Sequence, residues 1–440
     1  MNYVYLIMMA SLIWGSCQTE PYIESEAIAD PEHFHQSVKN LSDIIVHDIF
    51  SPPVASRVYI YPIIAAYETI IHDHPEYQSL AGQLNGLTAA PRPDTSLQIS
   101  YATAALHAFN VIGKELTFSV ERYDEHIKAV SERLKDLGLS SKVYRNSIAY
   151  GELVAAHILE WASQDNYHQT RTFPKFSINQ DEARWKPTPP GYGDGIEPHW
   201  RKIRPFVIDS AEQFKPEPPT AFSTSKDSRF YKEAMEVYDV VNQADEEQRA
   251  IASFWDCNPY ALQVTGHVMH ATKKITPGGH WIGIVGVASR KANADLMKSI
   301  EAYTITAIAL ADGFISCWDE KYRSNLTRPE TVINEHYDES WVPILQTPPF
   351  PEYTSGHSVI SRAAAVALTS VFGDDFAYDD DVELEYGLPI RKYRSFLHAS
   401  EEAAISRLYG GIHFRPAIDE GVKQGEQVGN LIVDRIELKP

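Results

Sequence analysis

The chain has 440 residues, of which 44% are hydrophobic and 11% aromatic, so it can bury a large core in one to three domains. Its 59 acidic residues outnumber its 39 lysines and arginines, giving a formal net charge of −20. This balance argues against binding to nucleic acid or to an anionic membrane surface. It is compatible with an anion pocket, because a few buried cations dominate the field of their own cavity.

The N-terminus has the pattern of an export signal. Residues 1–16 are almost wholly apolar and end in Gly15-Ser16, just before Cys17. This resembles a bacterial lipoprotein signal, which is cleaved before a cysteine whose thiol is then lipidated. An ordinary secretory signal cut nearby is the alternative. We therefore predict a signal peptide over 1–17, a polar tether over 18–30, and export to the periplasm, the outer membrane or the medium. No later run has the length of a transmembrane segment.

From residue 31 the sequence predicts one all-α domain ending at 440, built as two packed helical bundles. A helical half over about 31–166 is followed by a long loop over 167–222 and a second half over 223–440. The loop is rich in Pro and Gly, and we expect it to wrap the surface and form a channel mouth. The apolar spacing predicts helices over 32–50, 55–72, 95–116, 121–137, 141–166, 227–243, 246–256, 258–274 and 292–320. The glycine-rich segment 277–281 is predicted to interrupt the helices.

The cysteines and histidines outside the C-terminal quarter give weaker signals. Cys257 and Cys317 adjoin aromatic-rich helical sequence, which favours two buried thiols over a disulfide. The pairs His267/His270 and His72/His74 lack a third metal ligand at a recognisable spacing, so packing or surface roles are favoured. For His280 we also expect a packing role.

Three C-terminal segments carry charged residues at fixed spacings. Lys321 and Arg328 are seven residues apart, about two helical turns, which predicts that they share one helix face. Ser355 and Gly356 precede an apolar run over 359–372 that reads as a buried helix. They would then lie at its N-terminus, where free N–H groups favour an anion.

The third segment contains Arg407 and His413, separated by Gly410-Gly411. The glycine pair predicts a break between one helix and the next, which restarts at Pro416. The break allows the guanidinium and the imidazole to converge. Together the three segments supply cations, a hydroxyl, backbone amides and two histidines. This set is suited to a tetrahedral oxyanion.

These spacings resemble those of the vanadium-dependent haloperoxidases and the related type 2 phosphatidic acid phosphatase and acid phosphatase superfamily. Trp318 and Phe350-Pro351 resemble the haloperoxidase branch, and Tyr353-Thr354-Ser355 resembles the bacterial iodoperoxidases. The matching motifs occupy the last quarter of the chain, where they imply the two-bundle fold of this family.

The resemblance implies a vanadate cofactor and the substrates hydrogen peroxide and halide. His413 would be the apical ligand of vanadium and His357 the acid–base residue. The expected oxyanion-binding residues are Lys321, Arg328, Ser355, Gly356, Arg407 and His413. The residues expected to line the halide side are Trp318, Phe350 and Tyr260. Ala364 stands where algal bromoperoxidases carry a second histidine, so we expect iodide, with bromide second and chloride not oxidised.

Two other functions remain open from the sequence. A phosphatase could use the same pocket through a phosphohistidine intermediate, because phosphate and vanadate share shape and charge. An exported, acidic, helical chain rich in Tyr and Trp also fits a non-enzymatic glycan-binding lipoprotein, although no helical repeat is found.

Overall fold

The computed structural model describes residues 22–265 and 268–440. The predicted signal peptide, Cys17 and part of the tether lie outside the described residues, as do His267 and the side chain of His270. Within those residues the helices are α1 Pro31–His47, α2 Pro52–Ile70, α3 Tyr101–Glu115, α4 Val120–Asp136, α5 Ser141–Ser163, α6 Tyr167–Thr170, α7 Arg229–Gln243, α8 Glu246–Phe254, α9 Pro277–Lys291, α10 Leu296–Ser324, α11 Pro329–His336, α12 Gly356–Phe372, α13 Phe396–Tyr409 and α14 Arg415–Arg435. The all-α prediction is confirmed.

Local sequence signals account for many of the helix starts. Ser100 caps α3 by accepting a hydrogen bond from the Thr103 amide, and Ser140 caps α5 in the same way. Asp245 and Gln248 form a reciprocal capping box at the start of α8. Each cap satisfies backbone donors that have no partner inside the helix, so the side chain fixes where the helix begins.

The helices pack as two groups joined by α10. In the N-terminal half, α2 packs against α3 and α5, and it is buried on every side. In the C-terminal half, α12 packs against α10, α13 and α14, while α10 also contacts α2. One hydrophobic core runs from Ile28 to Ile436 and includes residues of both halves. The two halves therefore share one hydrophobic core, and the single domain from 31 to 440 stays a prediction.

Close approach of α14 to α12 positions the start of α12. Gly421, Gly425 and Gly429 face α12, and a Cβ atom on Gly425 would stand 2.1 Å from the carbonyl oxygen of Val359. A Cβ on Gly421 would stand 3.0 Å from the carbonyl oxygen of Ser355. Only glycine allows this contact, which fixes Ser355 against the C-terminal helix.

Two predictions between residues 258 and 291 are wrong. The predicted helix over 258–274 is a hairpin of two antiparallel strands, β1 Ala261–Thr265 and β2 Val268–Thr272, in which Ala261 pairs with Thr272. Its Val and Thr residues favour a pleated strand over a helix. The predicted interruption at 277–281 is instead the first turn of α9, because Thr276 caps the Gly279 amide and Pro277 occupies the first turn. A second hairpin pairs β3 Tyr378–Asp380 with β4 Arg391–Tyr393.

The long loop over 167–222 is pinned to the core. It contains α6 and a 3₁₀ turn at Trp200–Lys202. The buried carboxylate of Asp312 on α10 accepts hydrogen bonds from the Phe206 and Val207 amides, each 2.7 Å long. α10 is long and apolar enough to cross a membrane by length and composition, but its apolar window is entirely buried inside the protein. It is the core helix against which the loop is fixed.

Candidate active site

Lys321 and Arg328 lie on different elements, so the prediction that they share a helix face is wrong. Lys321 occupies the last turn of α10, which ends where Asn325 adopts a left-handed conformation with φ of 47°. The chain then turns, and Arg328 immediately precedes α11. The left-handed residue redirects the backbone. Both side chains are nevertheless fully buried, and both contact the segment that leads into α12.

The ammonium group of Lys321 binds the segment that leads into α12. Its Nζ donates to the carbonyl oxygens of Pro351, Glu352 and Thr354, at 3.1, 3.0 and 2.6 Å. An ammonium has three N–H donors, so all of them are used. Burial is the main cause that lowers the pKa of Lys321 to about 7. Near neutrality Lys321 is therefore only partly protonated, and in its protonated form it orders the loop before α12.

Arg328 joins this segment to the one that carries His413. Its Nε donates to the carbonyl oxygen of Phe350 at 3.0 Å, and its Nη1 donates to that of Ile412 at 2.7 Å. The same Nη1 lies 3.2 Å from Nε2 of His413. Nη2 is buried and has no hydrogen-bond partner among the described residues. It is a donor available for an anion, since a buried guanidinium N–H without a partner is costly.

The start of α12 provides the amides that the sequence predicted. Ser355 is the N-cap residue, and its Oγ accepts from the Ser358 amide at 3.3 Å. Gly356 opens the helix against Trp318, whose ring would be 3.6 Å from a Cβ at this position. The next residue, His357, has a buried Nε2 without a partner in the described part of the chain. Burial, followed by the charge of Arg407, lowers the pKa of His357 well below its ordinary value.

The predicted helix break at Gly410-Gly411 is confirmed. α13 ends at Tyr409, Gly411 has φ of 79°, and α14 begins at Arg415 with Pro416 in its first turn. Such a positive φ is accessible to glycine without strain. Nη2 of Arg407 donates to the carbonyl oxygen of Trp255 at 2.6 Å. The turn thus brings His413 and Arg407 to the same cavity, where both line the wall.

Glu352 holds His413 and is the functional residue that the sequence reasoning did not single out. Its Oε1 lies 2.8 Å from Nδ1 of His413 and accepts from the Phe414 amide at 2.9 Å. Because a guanidinium can only donate, the Arg328 contact makes Nε2 of His413 the acceptor and Nδ1 the N–H donor to Glu352. Burial first, then Arg328 and Lys321, lowers the pKa of His413 well below its ordinary value. The imidazole is therefore neutral, with its lone pair at Nε2.

A cavity of about 360 Å³ reaches these groups. Its lining includes Gly356, His357, Arg407 and His413. The three residues predicted for the halide side, Trp318, Phe350 and Tyr260, all line the wall, and the rings of Trp318 and Phe350 lie 5.0 Å apart. Residues 188, 191–193 and 196 of the long loop also line the cavity, and their predicted role as a channel mouth stays a prediction. Cys257 also lines the cavity; it and Cys317 are buried free thiols, as expected.

Fold and pocket define an all-α protein that binds a tetrahedral oxyanion beneath an apolar cavity. Within the described residues, Nη2 of Arg328 has no partner and suits an acceptor-rich ligand. Nε2 of His357 has none either and can accept a proton, while the lone pair of His413 suits an electrophilic central atom.

Comparisons with known proteins identify the family. Residues 301–438 match the model of the second helical-bundle domain of VCPO. The crystal structure of a bacterial vanadium-dependent iodoperoxidase is 54% identical, with a TM-score of 0.89, over 96% of this chain and 99% of that one. The chain therefore belongs to the vanadium-dependent haloperoxidase family.

More distant structures share only the fold. The apo and holo structures of a bacterial vanadium-dependent chloroperoxidase are each 17% identical, with a TM-score of 0.65, over 88% of this chain and 94% of that chain. No curated protein sequence matches the chain. The phosphatase and glycan-binding alternatives are not favoured by these relatives.

Proposed function

We propose that this protein is a vanadate-dependent haloperoxidase that uses hydrogen peroxide to oxidise iodide to hypoiodous acid. The observation that carries the proposal is the convergence of Arg328, His357, Arg407 and His413 on one buried pocket, in a chain 54% identical to a bacterial vanadium-dependent iodoperoxidase.

The residues present fit vanadate. Arg328 and Arg407 supply positive charge, because burial lowers the pKa of each only to about 10, a value at which both stay charged near neutrality. Lys321, with a pKa of about 7, adds to this charge when it is protonated. The Ser355 hydroxyl and the Gly356 amide complete the set of donors at the start of α12. Nε2 of His413 would bind the vanadium. When bound, vanadate supplies a pentavalent Lewis-acid centre that activates peroxide for transfer of an oxygen to halide.

The two pocket histidines, His357 and His413, have different roles. Glu352 accepts from Nδ1 of His413 at 2.8 Å and so keeps the ligating lone pair at Nε2. His357 is neutral, and its Nε2 has no partner among the described residues, which allows it to accept a proton from hydrogen peroxide. The apolar wall with Trp318 and Phe350 limits water around these groups. We assign His357 the acid–base role and His413 the ligand role.

Iodide is the halide that we propose. Ala364 lies fully buried in α12 and provides no second histidine. Iodide is also the easiest halide to oxidise, and an aromatic wall suits a large, weakly hydrated anion.

The test measures oxidation of iodide, bromide and chloride by the full chain, before and after addition of vanadate. We expect activity only with vanadate, with iodide far faster than bromide and chloride at background. Comparable turnover of iodide and chloride would contradict the halide assignment. Hydrolysis of a phosphomonoester without vanadate, together with no halide oxidation, would contradict the function itself.

We also propose that the protein is exported and lipid-anchored through Cys17. Support comes from the apolar residues 1–16 and from the small residues Gly15-Ser16 before the cysteine. Mass spectrometry of the mature N-terminus tests this proposal. A lipidated Cys17 that is lost in Cys17→Ser is the expected result; an unmodified mature N-terminus beyond residue 17 would indicate an ordinary secretory signal instead.

A further inference from the structure

A second cluster of reactive side chains lies beside the oxyanion pocket, and one of its members, Cys257, also lines the cavity. Cys257 follows α8, His280 is in the first turn of α9, Asp380 ends β3, and Glu383 follows it. Their exposed fractions are 2%, 0%, 0% and 1%, respectively. Three separate stretches of the chain thus bring a thiol, an imidazole and two carboxylates together in the interior.

Three donor atoms of this cluster face one point. Sγ of Cys257 lies 3.6 Å from Nδ1 of His280 and 3.8 Å from Oε1 of Glu383. Nδ1 of His280 lies 3.1 Å from the same Oε1. In a tetrahedral zinc site with a Zn–S bond of about 2.3 Å and Zn–N and Zn–O bonds of about 2.0 to 2.1 Å, donor atoms stand about 3.3 to 3.6 Å apart. The observed triangle matches one face of such a tetrahedron to within a few tenths of an ångström.

Asp380 occupies the position of an outer partner for a metal-bound histidine. Its Oδ2 lies 2.9 Å from Nε2 of His280, on the ring edge opposite Nδ1. Histidine ligands commonly donate the second ring N–H to a carboxylate, which fixes the tautomer and leaves the other nitrogen free to bind. Asp380 is itself held, because its Oδ1 accepts from the Val382 amide at 3.1 Å. This contact is a second observation, independent of the donor triangle.

The charge of the cluster also suits a cation. Within residues 22–265 and 268–440, His280 is the ion-pair partner that the structure gives to Asp380 and Glu383. Two buried carboxylates therefore share one imidazole, and a divalent cation would compensate them. A thiolate, an imidazole and a carboxylate together are typical of zinc, whereas magnesium and calcium prefer oxygen ligands alone.

We propose that Cys257, His280 and Glu383 bind one zinc ion, with Asp380 orienting His280 and a water in the fourth position. The zinc site adjoins the vanadate pocket, since Cys257 lines the same cavity, but it would hold a separate ion. The ring of His280 stacks on that of Trp255, with centroids 4.6 Å apart and planes at 17°. The carbonyl oxygen of Trp255 accepts from Arg407. The zinc ion ties the segment that holds Arg407 to α9 and to the β3 segment.

The first test measures zinc and vanadium separately, by elemental mass spectrometry, in the vanadate-loaded full chain with any affinity tag removed. After treatment with a chelator and addition of zinc chloride, we expect one zinc per chain. Asp380→Asn should weaken zinc affinity by about 10- to 100-fold. Cys257→Ser and Glu383→Gln should weaken it at least as much. The matched control is Cys317→Ser, which removes the other buried thiol and should leave the zinc content unchanged.

The second test needs no variant to fold. Cobalt chloride added to the zinc-free wild-type chain should give a thiolate-to-cobalt charge-transfer band and the intense visible bands of tetrahedral cobalt. Zinc chloride should abolish both sets of bands. A folded wild-type chain that binds no zinc and gives no cobalt–thiolate band would overturn the proposal. Unchanged zinc affinity in folded Cys257→Ser would also overturn it. Either result would overturn the zinc site without overturning the proposed haloperoxidase function, because vanadium content and iodide oxidation are measured separately in the same samples.

Discussion

His413 and His280 are both buried imidazoles with a carboxylate at one ring nitrogen. At the other ring nitrogen their partners have opposite charge. Beside His413, Glu352 contacts Nδ1 and Arg328 contacts Nε2. Beside His280, Asp380 contacts Nε2, and Cys257 and Glu383 contact Nδ1. The two side chains are chemically identical. They differ in the charge of the group at the other ring nitrogen, which is a cation beside His413 and a set of acceptors beside His280.

This difference decides what each site can hold. At His413 burial and the neighbouring cations act together, and the pKa is lowered well below its ordinary value. At His280 burial alone would lower the pKa, but Asp380 and the other acceptors raise it well above its ordinary value. Cations around a neutral imidazole suit an oxyanion, whereas acceptors around an imidazole suit a positive charge. The charge of the surroundings distinguishes the two sites.

Removing the imidazole at the anion site should have the largest effect. We expect His413→Ala to lose iodide oxidation to background and to lose vanadate retention, because the apical ligand is gone. The measurements are iodide oxidation and vanadium content after gel filtration.

The matched control for this variant is His35→Ala. It removes another buried imidazole, one hydrogen-bonded to Tyr303 outside the pocket. It should keep its vanadium. Tight vanadate binding by a folded His413→Ala variant would contradict the ligand assignment.

Removing the carboxylate behind His413 should have a smaller effect. Glu352→Ala takes away the acceptor of the Nδ1 proton, and outer partners of this kind are worth about 10- to 100-fold in metal affinity or activity. We expect a loss of that size in vanadate affinity, measured by titration against iodide oxidation. Glu352→Gln keeps an oxygen acceptor and should lose less. Equal vanadate affinities in wild type and Glu352→Ala would show that Glu352 does not position His413 for vanadate.

The smallest expected effect is a pH dependence of stability. Burial, opposed by Arg328 and Lys321, raises the pKa of Glu352 from 4.5 to about 7. Between these values the folded chain binds a proton that the unfolded chain has lost, so this group lowers the free energy of unfolding as pH rises.

Glu352→Gln cannot titrate at this position. Relative to wild type, the variant should therefore gain about 1 to 2 kcal/mol between pH 5 and 6.5. The contributions of His357 and His413 occur in both chains and largely cancel in the difference. Urea unfolding of the metal-free proteins at several pH values is the measurement. A difference that stays constant or falls with pH would show that Glu352 is already ionised throughout this window.

Much of the fold and most of the pocket could be predicted from the sequence, because local rules govern them. Gly410-Gly411 and Pro416 each impose a backbone preference that does not depend on distant contacts, and the break between α13 and α14 followed from them. The N-terminal position of Ser355 followed from the apolar run behind it. Helix periodicity likewise gave most of the helices.

The errors arose where distant contacts or a short, ambiguous pattern decided the outcome, except at α9, whose start follows from the local cap Thr276 and from Pro277. Lys321 and Arg328 have helical spacing, but Asn325 ends α10 between them in a left-handed conformation that Asn adopts only in some contexts. The segment 261–272 has too few residues for its period to separate a strand from a helix. Glu352 is one glutamate among many in the sequence. Its role depends on His413, which is 61 residues away along the chain.

The central claim is that one cationic pocket, with His413 as the fifth ligand, is the vanadate site. Phosphate has the same shape and charge but forms no stable fifth bond, so it should compete with vanadate for the donors of Arg328, Arg407 and Gly356 and bind more weakly. The most direct measurement titrates vanadate into metal-free protein at several phosphate concentrations and follows iodide oxidation. We expect the vanadate midpoint to rise in proportion to phosphate, with full activity restored by excess vanadate. A midpoint that does not move with phosphate would mean that vanadate binds elsewhere.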